Sequence, residues 1–359
     1  MSAWQNAWDD LRRQAPNGLA PEGIVRVEVR RDGGQIWHLE PGGAHAPCFE
    51  FQAGEGRWLQ PSGERRLPGL DGHASDRLLA WRPGRRAVWR SSDGASVWKC
   101  FRSGRDRAPR AHTERVAAAL VQSNPTGPAL GIPALLEHDE ALARLRFAWV
   151  DGHGIGLDLD SAPDWRHFGQ ALDHFQQAVP IDGLARHGAP DEVALLEELA
   201  LRHADAQIAL PEGWHAAFAD LREQVSDLPP HAWVACHRDL HDGQILISGG
   251  RPVLLDLDLL CAADPALDAG NLTAHFLLRE LQAAGGADRE SIARVARLFL
   301  QGLHHSAQAE FATSLRFYQA SSLLRLALVY AVRPRWRALA PQLIDLSRQA
   351  LAEILPRPQ

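Results

Sequence analysis

A chain of 359 residues with 45% hydrophobic content carries enough apolar material for two or three packed units, which excludes a disordered tail or a minimal disulfide scaffold. Its 38 basic and 44 acidic residues leave a net charge of −6, without the basic footprint of a nucleic-acid binder. No charged-then-apolar leader is present, no apolar run approaches the roughly 18 residues that span a bilayer, and Cys48, Cys100, Cys236 and Cys261 lack metal or redox spacing. The expectation is a cytoplasmic protein with reduced, buried thiols and neither a nucleic-acid nor a membrane partner.

Taken in chain order, Ala3-Trp4, Ala7-Trp8 and Leu11 predict a short amphipathic helix. Its polar face mixes Asp9 and Asp10 with Arg12 and Arg13, which favours docking on the protein's own core over a membrane surface. Residues 24–30, 35–39, 48–52 and 56–59 alternate around Asp32-Gly33-Gly34 and other glycine turns, the pattern of a small antiparallel β cap, with 61–75 as its linker. Such a cap either restricts access to a site or shields a neighbouring lobe. Leu78–Arg82, Arg86–Arg90 and Ala95–Phe101, separated by Pro83-Gly84-Arg85 and Ser92-Asp93-Gly94, read as three antiparallel strands. A helix follows from Arg107 to Gln122, then a strand from Leu145 to Val150 running into Asp151-Gly152. The rest is helical: Trp165, Phe168, Leu172 and Phe175 share a face, and further helices are expected over 192–210, 214–225, through Leu281, and over 292–304, 315–332 and 341–355.

Two segments carry chemistry. Lys99 is the only lysine among the 38 basic residues and lies on the third of those strands. His237-Arg238-Asp239-Leu240-His241-Asp242-Gly243-Gln244 precedes two apolar runs around Ser248-Gly249-Gly250, a β-hairpin ending in Asp256-Leu257-Asp258. A turn centred on Gly249-Gly250 sets Ile247 opposite Pro252 and Gln244 opposite Leu255, so Gln244 and Asp256 meet at the open end, where Asp239 also enters. Hard oxygen donors gathered there are what Mg²⁺ accepts together with water and phosphates, the layout of a phosphoryl-transfer site. Asp258 is either a second metal contact or a helix cap, and His237 and His241 read as braces of the loop. A different reading stays open: alternating His237, Asp239 and His241 on one strand face would suit Zn²⁺ in a metal-dependent hydrolase.

From about Arg77 onward, the H-x-D-L-H-x-G-Q segment with its downstream D-x-D resembles the aminoglycoside phosphotransferase and choline kinase superfamily of small-molecule kinases. The resemblance implies an α+β, protein-kinase-like two-lobed fold: a cap over 1–75, an antiparallel β N-lobe and hinge over 76–150, and a mostly helical C-lobe over 151–359. It implies that Asp239 is the catalytic Asp orienting the acceptor hydroxyl, that Gln244 and Asp256 bind Mg²⁺, and that Lys99 binds the nucleotide phosphates. Glu114, fifteen residues after Lys99, would pair with it; the backbone around Ala148 to Val150 would hold adenine; Asp268 would buttress the catalytic loop. Gln244 stands where Asn is usual, as in the maltokinase branch, which leans toward a sugar acceptor. Arg238 stands where Gly is commoner, and no G-x-G-x-x-G loop, D-F-G or A-P-E is present, against a protein substrate. In place of the glycine-rich loop stand Pro83-Gly84-Arg85-Arg86; Arg85 and Arg86 approach phosphates or are simply solvated. His275, Arg279 and Arg325 are candidates for the acceptor pocket. The implied function is transfer of the γ-phosphate of ATP, or GTP, to a hydroxyl of a sugar, amino alcohol or aminoglycoside-like small molecule, with no protein partner. A catalytically weak ATP-binding regulatory module is the alternative, made conceivable by Gln244 and the missing glycine-rich loop.

Overall fold

The computed structural model describes residues 3–15, 19–39, 48–70, 76–123, 129–283, 286–304 and 308–353; the end of the expected linker (71–75) and of the expected last helix (354–355) lie outside the described residues. Helix α1 (Ala3–Gln14) lies on an antiparallel meander of β1 (Ile24–Val29), β2 (Gln35–Leu39), β3 (Cys48–Gln52) and β4 (Glu55–Leu59), in that order across the sheet. The register sets Trp37 between Val27 and Phe49, so three apolar side chains line up on one face. The Trp4, Trp8 and Leu11 face of α1 covers them, Trp8 stacking on Trp37 with centroids 5.6 Å apart. Ala206, Ile208 and Val332 complete this cluster from much later in the chain, and Trp4 Nε1 donates to the Val332 carbonyl at 2.8 Å. The tryptophans of α1 therefore serve the protein's own core, as its mixed polar face predicts. The β1–β2 turn presses on the same lobe: Gly33 has a φ of +76°, and a Cβ there would lie 2.6 Å from the Asp205 carbonyl oxygen, so only glycine fits.

Ile36 and Cys48 point to the opposite side of the meander and pack with Leu67, Leu70, Trp81, Ala87 and Cys100. That joins the cap to a second antiparallel sheet of β5 (Arg77–Arg82), β6 (Arg86–Arg90), β7 (Ser96–Phe101), β8 (Leu135–Asp139) and β9 (Arg144–Ala148), in the order β5-β6-β7-β9-β8. The meander thus packs on this sheet, and its Arg30, Arg31 and Asp32 border the cleft described below. Strand pairing aligns Ala80, Val88, Lys99 and Leu145 across the sheet. Helix α2 (Arg107–Ser123) crosses from β7 toward β8. Strand β8 is an addition to the sequence reading: it is an edge strand, and its polar Glu137, His138 and Asp139 hide the alternation.

The remaining lobe is helical: α3 (Ala162–Ala178), α4 (Ala189–Asp205), α5 (Trp214–Gln224), α6 (Ala266–Gln282), α7 (Gly286–Gly302), α8 (Ala309–Ala331) and α9 (Ala340–Ala352). Trp165, Phe168, Leu172 and Phe175 of α3 are fully buried, with Phe276 and Phe299 against Trp165 edge-on. Two small sheets pack into the same core: β10 (His153–Gly154) with β12 (Ile245–Ser248) and β13 (Arg251–Leu254), and β11 (Val234–Cys236) with β14 (Cys261–Ala263). The β12–β13 hairpin turns at Gly249 and Gly250, both at positive φ, and sets Ile247 opposite Pro252 as expected. All four cysteines are buried, and burial pushes the Cys100 and Cys261 thiols up to about 12. Among the described residues, no helix is long and apolar enough to cross a membrane.

Candidate active site

The loop from β11 to β12 is held from behind. Asp268, fully buried on α6, accepts the backbone N–H groups of His237 and Arg238, each at 2.8 Å. Asn271, one turn further along α6, donates to the Arg238 carbonyl at 2.6 Å, and its own oxygen accepts from Ser322 and from Arg325. His237 donates from Nε2 to the Leu255 carbonyl at 2.7 Å and accepts the Asp239 N–H on Nδ1 at 3.3 Å, a pairing that sets its tautomer. These bonds hold Arg238 at φ +72°, a left-handed conformation costing an L-residue roughly 1–2 kcal/mol. Glycine would be free of that cost, which gives a physical reason for the glycine commoner at this position.

In front of the loop the groups are charged and partly exposed. Asp239 faces Arg325, whose Nη1 lies 3.4 Å from Oδ1. Burial pushes the Asp239 carboxyl up, but Arg325, with His241 and His237, outweighs it and holds it below the ordinary value, so it is anionic near neutrality. Beyond β13, Asp256 sits at φ +59°, a conformation Asp tolerates better than most residues. Lys99 Nζ lies 2.8 Å from Asp256 Oδ1 and 2.5 Å from Asp258 Oδ1, while Arg86 Nη1 is 3.0 Å from an oxygen of each. Burial again pushes Asp256 up, and Lys99 and Arg86 together hold it well below the carboxylate range. Two carboxylates side by side, each in contact with Lys99 and Arg86, form a hard-oxygen donor set that suits a small divalent cation completed by water and phosphate oxygens.

The structure brings Lys99, Asp256 and Asp258 into contact and opens Asp239 onto the same cleft. Gln244 keeps its expected register, accepting the Leu255 N–H at 2.9 Å, but its amide end is turned to His241, 3.3 Å from Nε2. Glu114 is not brought to Lys99: it pairs with Arg110 at 2.8 Å on the outer side of α2. The helical phase explains this, because His112 Nδ1 donates to the Leu257 carbonyl at 3.0 Å and so marks the face of α2 turned inward. Two residues on, Glu114 lies about 200° around the helix. At the interlobe strand, the Ala148 N–H is taken by Ala134 and the Trp149 N–H by Ala95, both at 2.9 Å, whereas no backbone partner of Val150 appears among the described residues. The one-face arrangement of His237, Asp239 and His241 expected for a Zn²⁺ hydrolase is overturned. The left-handed Arg238 breaks the strand alternation, His241 Nδ1 turns back to accept the Gly243 N–H, and among the described residues no group of three or more His, Cys, Asp or Glu is placed to hold a metal.

Of the acceptor-pocket candidates, Arg325 reaches Asp239, Arg279 pairs with Asp242 at 3.0 Å, and half-buried His275 stacks on His241 with centroids 5.0 Å apart. Arg86 and Asp258 are the site residues that the sequence left undecided. Strand alternation carried the signal for Arg86, since Val88 is the residue facing Lys99 and Arg86 is two positions before it. In front of Asp239, Asp256 and Asp258 opens a cleft of about 830 Å³, walled by the cap, the β5–β6 turn, the loop from β7 to α2, and the end of α4.

No curated protein matches the sequence. A choline/ethanolamine kinase family protein from Mesorhizobium loti is similar in structure, with a TM-score of 0.53 at 18% identity over 82% of this chain and 93% of its own. A spectinomycin phosphotransferase in complex with ADP and spectinomycin gives a TM-score of 0.51 at 13% identity over 78% and 93%. A choline kinase from Streptococcus pneumoniae gives 0.50 at 12% over 76% and 92%. These likenesses establish the two-lobed kinase-like fold. The family described as "Phosphotransferase enzyme family" matches residues 84–298, from the β5–β6 turn through Asp239, Asp256 and most of α7, and the chain belongs to that family.

Proposed function

We propose that this protein is a small-molecule kinase that moves the γ-phosphate of ATP to a hydroxyl group. The observation that carries the reading is the meeting of Asp239, Asp256 and Asp258 at one cleft with Lys99 and Arg86 laid on the two metal-type carboxylates. Adenine would pair with the open backbone of Val150, adjoining Ala148, and Lys99 and Arg86 would exchange their carboxylates for nucleotide phosphates. Asp256, Asp258 and Gln244 would hold Mg²⁺, which when bound supplies charge neutralisation to the phosphates. Asp239, kept anionic, would align the acceptor O–H for in-line attack and take up its proton. Because the transition state of such transfer is loose, positioning and charge supply most of the acceleration. The same proposal divides the chain at 75 and 150 into cap, N-lobe and C-lobe, supported by the separate cap and N-lobe sheets.

A second reading, a weak ATP-binding regulatory module, is favoured by one observation: among the described residues no helical glutamate holds Lys99. Thermal unfolding with ATP or GTP, with and without Mg²⁺, tests nucleotide binding, since a ligand of the folded state raises Tm. Multiple-turnover phosphate transfer to hydroxyl compounds then separates the two: transfer establishes the kinase, and binding without transfer establishes the module.

A further inference from the structure

The cleft in front of Asp239 has the opposite charge to the chain. Nine arginines line it against five carboxylates, while the whole protein carries −6. Some of these cations are spent: Arg82 on Glu28 at 2.7 Å, Arg86 on Asp256 and Asp258, Arg30 on Glu50 and Asp32. Others are not. Arg102, in the exposed loop from β7 to α2, has no carboxylate partner among the described residues, nor does Arg105 in the same loop. Arg85, in the β5–β6 turn, reaches Glu28 only at 3.8 Å. Arg202, in the last turn of α4, binds Glu198 through Nη2, but its buried Nε has no acceptor.

Arg85, Arg102 and Arg202 are neighbours drawn from three separate elements. Burial and the charges of Arg82, Arg202 and Arg102 push the Arg85 guanidinium below its ordinary value, which Glu28 only partly offsets. Concentrated, incompletely neutralised guanidinium is stabilised by an anion, and a phosphate, with its several acceptor oxygens, can serve guanidinium groups from more than one side. The N-terminal turn of α2 opens on the same space through Ala108 and Pro109 and adds partial positive charge.

Position decides which anion this is. The cleft lining includes Asp239, Asp256 and Asp258 but no residue of the interlobe strand, and it extends instead to Arg30, Arg31 and Asp32 of the cap. A nucleotide seated at Val150 would end its phosphates at the carboxylates. The space beyond, between Asp239 and the cap, then belongs to the acceptor.

We infer that the acceptor is itself anionic, a phosphorylated hydroxy compound of the sugar-phosphate class, with its phosphate on Arg102 and Arg202 and its free hydroxyl at Asp239. This rests on the kinase reading. The acceptor oxygen forms a bond to the γ-phosphorus of ATP as the bond to the β–γ bridging oxygen breaks. ADP leaves with that electron pair, and the hydroxyl proton passes to Asp239 and then to solvent, giving a bisphosphorylated product.

The test has two arms. In the first, Tm is measured with inorganic phosphate in the presence of saturating non-hydrolysable ATP analogue and Mg²⁺. Stabilisation by phosphate on top of the nucleotide is expected, weakened roughly tenfold or more in apparent affinity in Arg102→Gln and Arg202→Gln, with nucleotide stabilisation unchanged. Loss of the phosphate effect once nucleotide is bound would assign these arginines to the nucleotide and overturn the inference. In the second arm, transfer from ATP is compared for glucose 6-phosphate and glycerol 3-phosphate, for glucose and glycerol, and for a cationic aminoglycoside. Preference for the phosphorylated compounds, with a raised KM for them in the two variants, supports the inference; preference for the neutral or cationic compounds overturns it while leaving the kinase reading intact. Absence of any nucleotide stabilisation would instead sink the kinase reading, and the acceptor inference with it.

Discussion

The two sides of the loop carrying Asp239 are built on opposite principles. Behind it, Asp268, Asn271, Ser322 and His237 are buried and spend their hydrogen bonds on fixed backbone or on one another. In front of it, Asp239, Asp256, Asp258, Lys99, Arg86 and Arg325 are partly exposed, and their ion pairs join side chain to side chain, where another ion can compete. A buried polar group without a partner costs about 1–3 kcal/mol, whereas a cation at a cleft edge trades one anion for another at little net cost. The rear therefore fixes geometry and the front stores exchangeable charge. Substitutions should divide the same way, the rear reporting in stability and the front in chemistry.

The largest expected effect is at the front. Asp239→Ala should lower turnover by about 10²-fold or more with nucleotide-induced stabilisation nearly unchanged; equal activity would remove Asp239 from the mechanism. Asp256→Ala should abolish the Mg²⁺-dependent part of the Tm shift, and a shift that keeps its Mg²⁺ dependence would place the cation elsewhere. At the rear, Asp268→Ala leaves the His237 and Arg238 N–H groups without an acceptor and should cost about 2–6 kcal/mol in denaturant unfolding. Asp268→Asn keeps an acceptor oxygen and should recover part of that loss; identical losses would argue against the hydrogen-bond account.

A smaller effect tests the seam between cap and N-lobe. Burial pushes the Glu28 carboxyl up, but His38, Arg82 and Arg26 hold it far below its ordinary 4.5. A carboxyl whose folded value lies below its unfolded one contributes stability fully above about pH 4.5 and loses it as pH falls further. Glu28→Gln should therefore show a shallower fall in Tm between about pH 5 and pH 3 than the parent; parallel curves would show that the seam is held by its apolar contacts alone. Smallest is Arg238→Gly, which removes the left-handed strain and should stabilise by about 1 kcal/mol or less, since glycine also gains entropy in the unfolded chain. A clear destabilisation would mean that the Arg238 side chain contributes more than its backbone conformation costs.

Elements with strong local pattern were legible in the sequence. The hairpin at Gly249-Gly250, the tryptophan face of α1 and the aromatic face of α3 each follow from a period that burial enforces. Glu114 was misplaced because counting residues from Lys99 gives a position along a helix but not its phase about the axis. The arginine-walled cleft was illegible for a different reason: Arg30, Arg85, Arg102 and Arg202 come from four separated segments, and only the docking of the cap on both lobes gathers them.

That docking has a consequence for how the protein is made. Trp4 donates to a carbonyl 328 residues further along the chain. At about 5–20 residues per second, a ribosome needs roughly 15–65 s to deliver Val332 after Trp4. Through that interval Trp4 and Trp8 can pack on Trp37 of the meander, but the Val332 acceptor of Trp4 is still missing. Helix α1, synthesised long before α8, thus completes its contacts only after α8 has been made. A nascent chain, or one cut short before Val332, therefore lacks the hydrogen bond and the apolar contact that fasten the cap to the helical lobe.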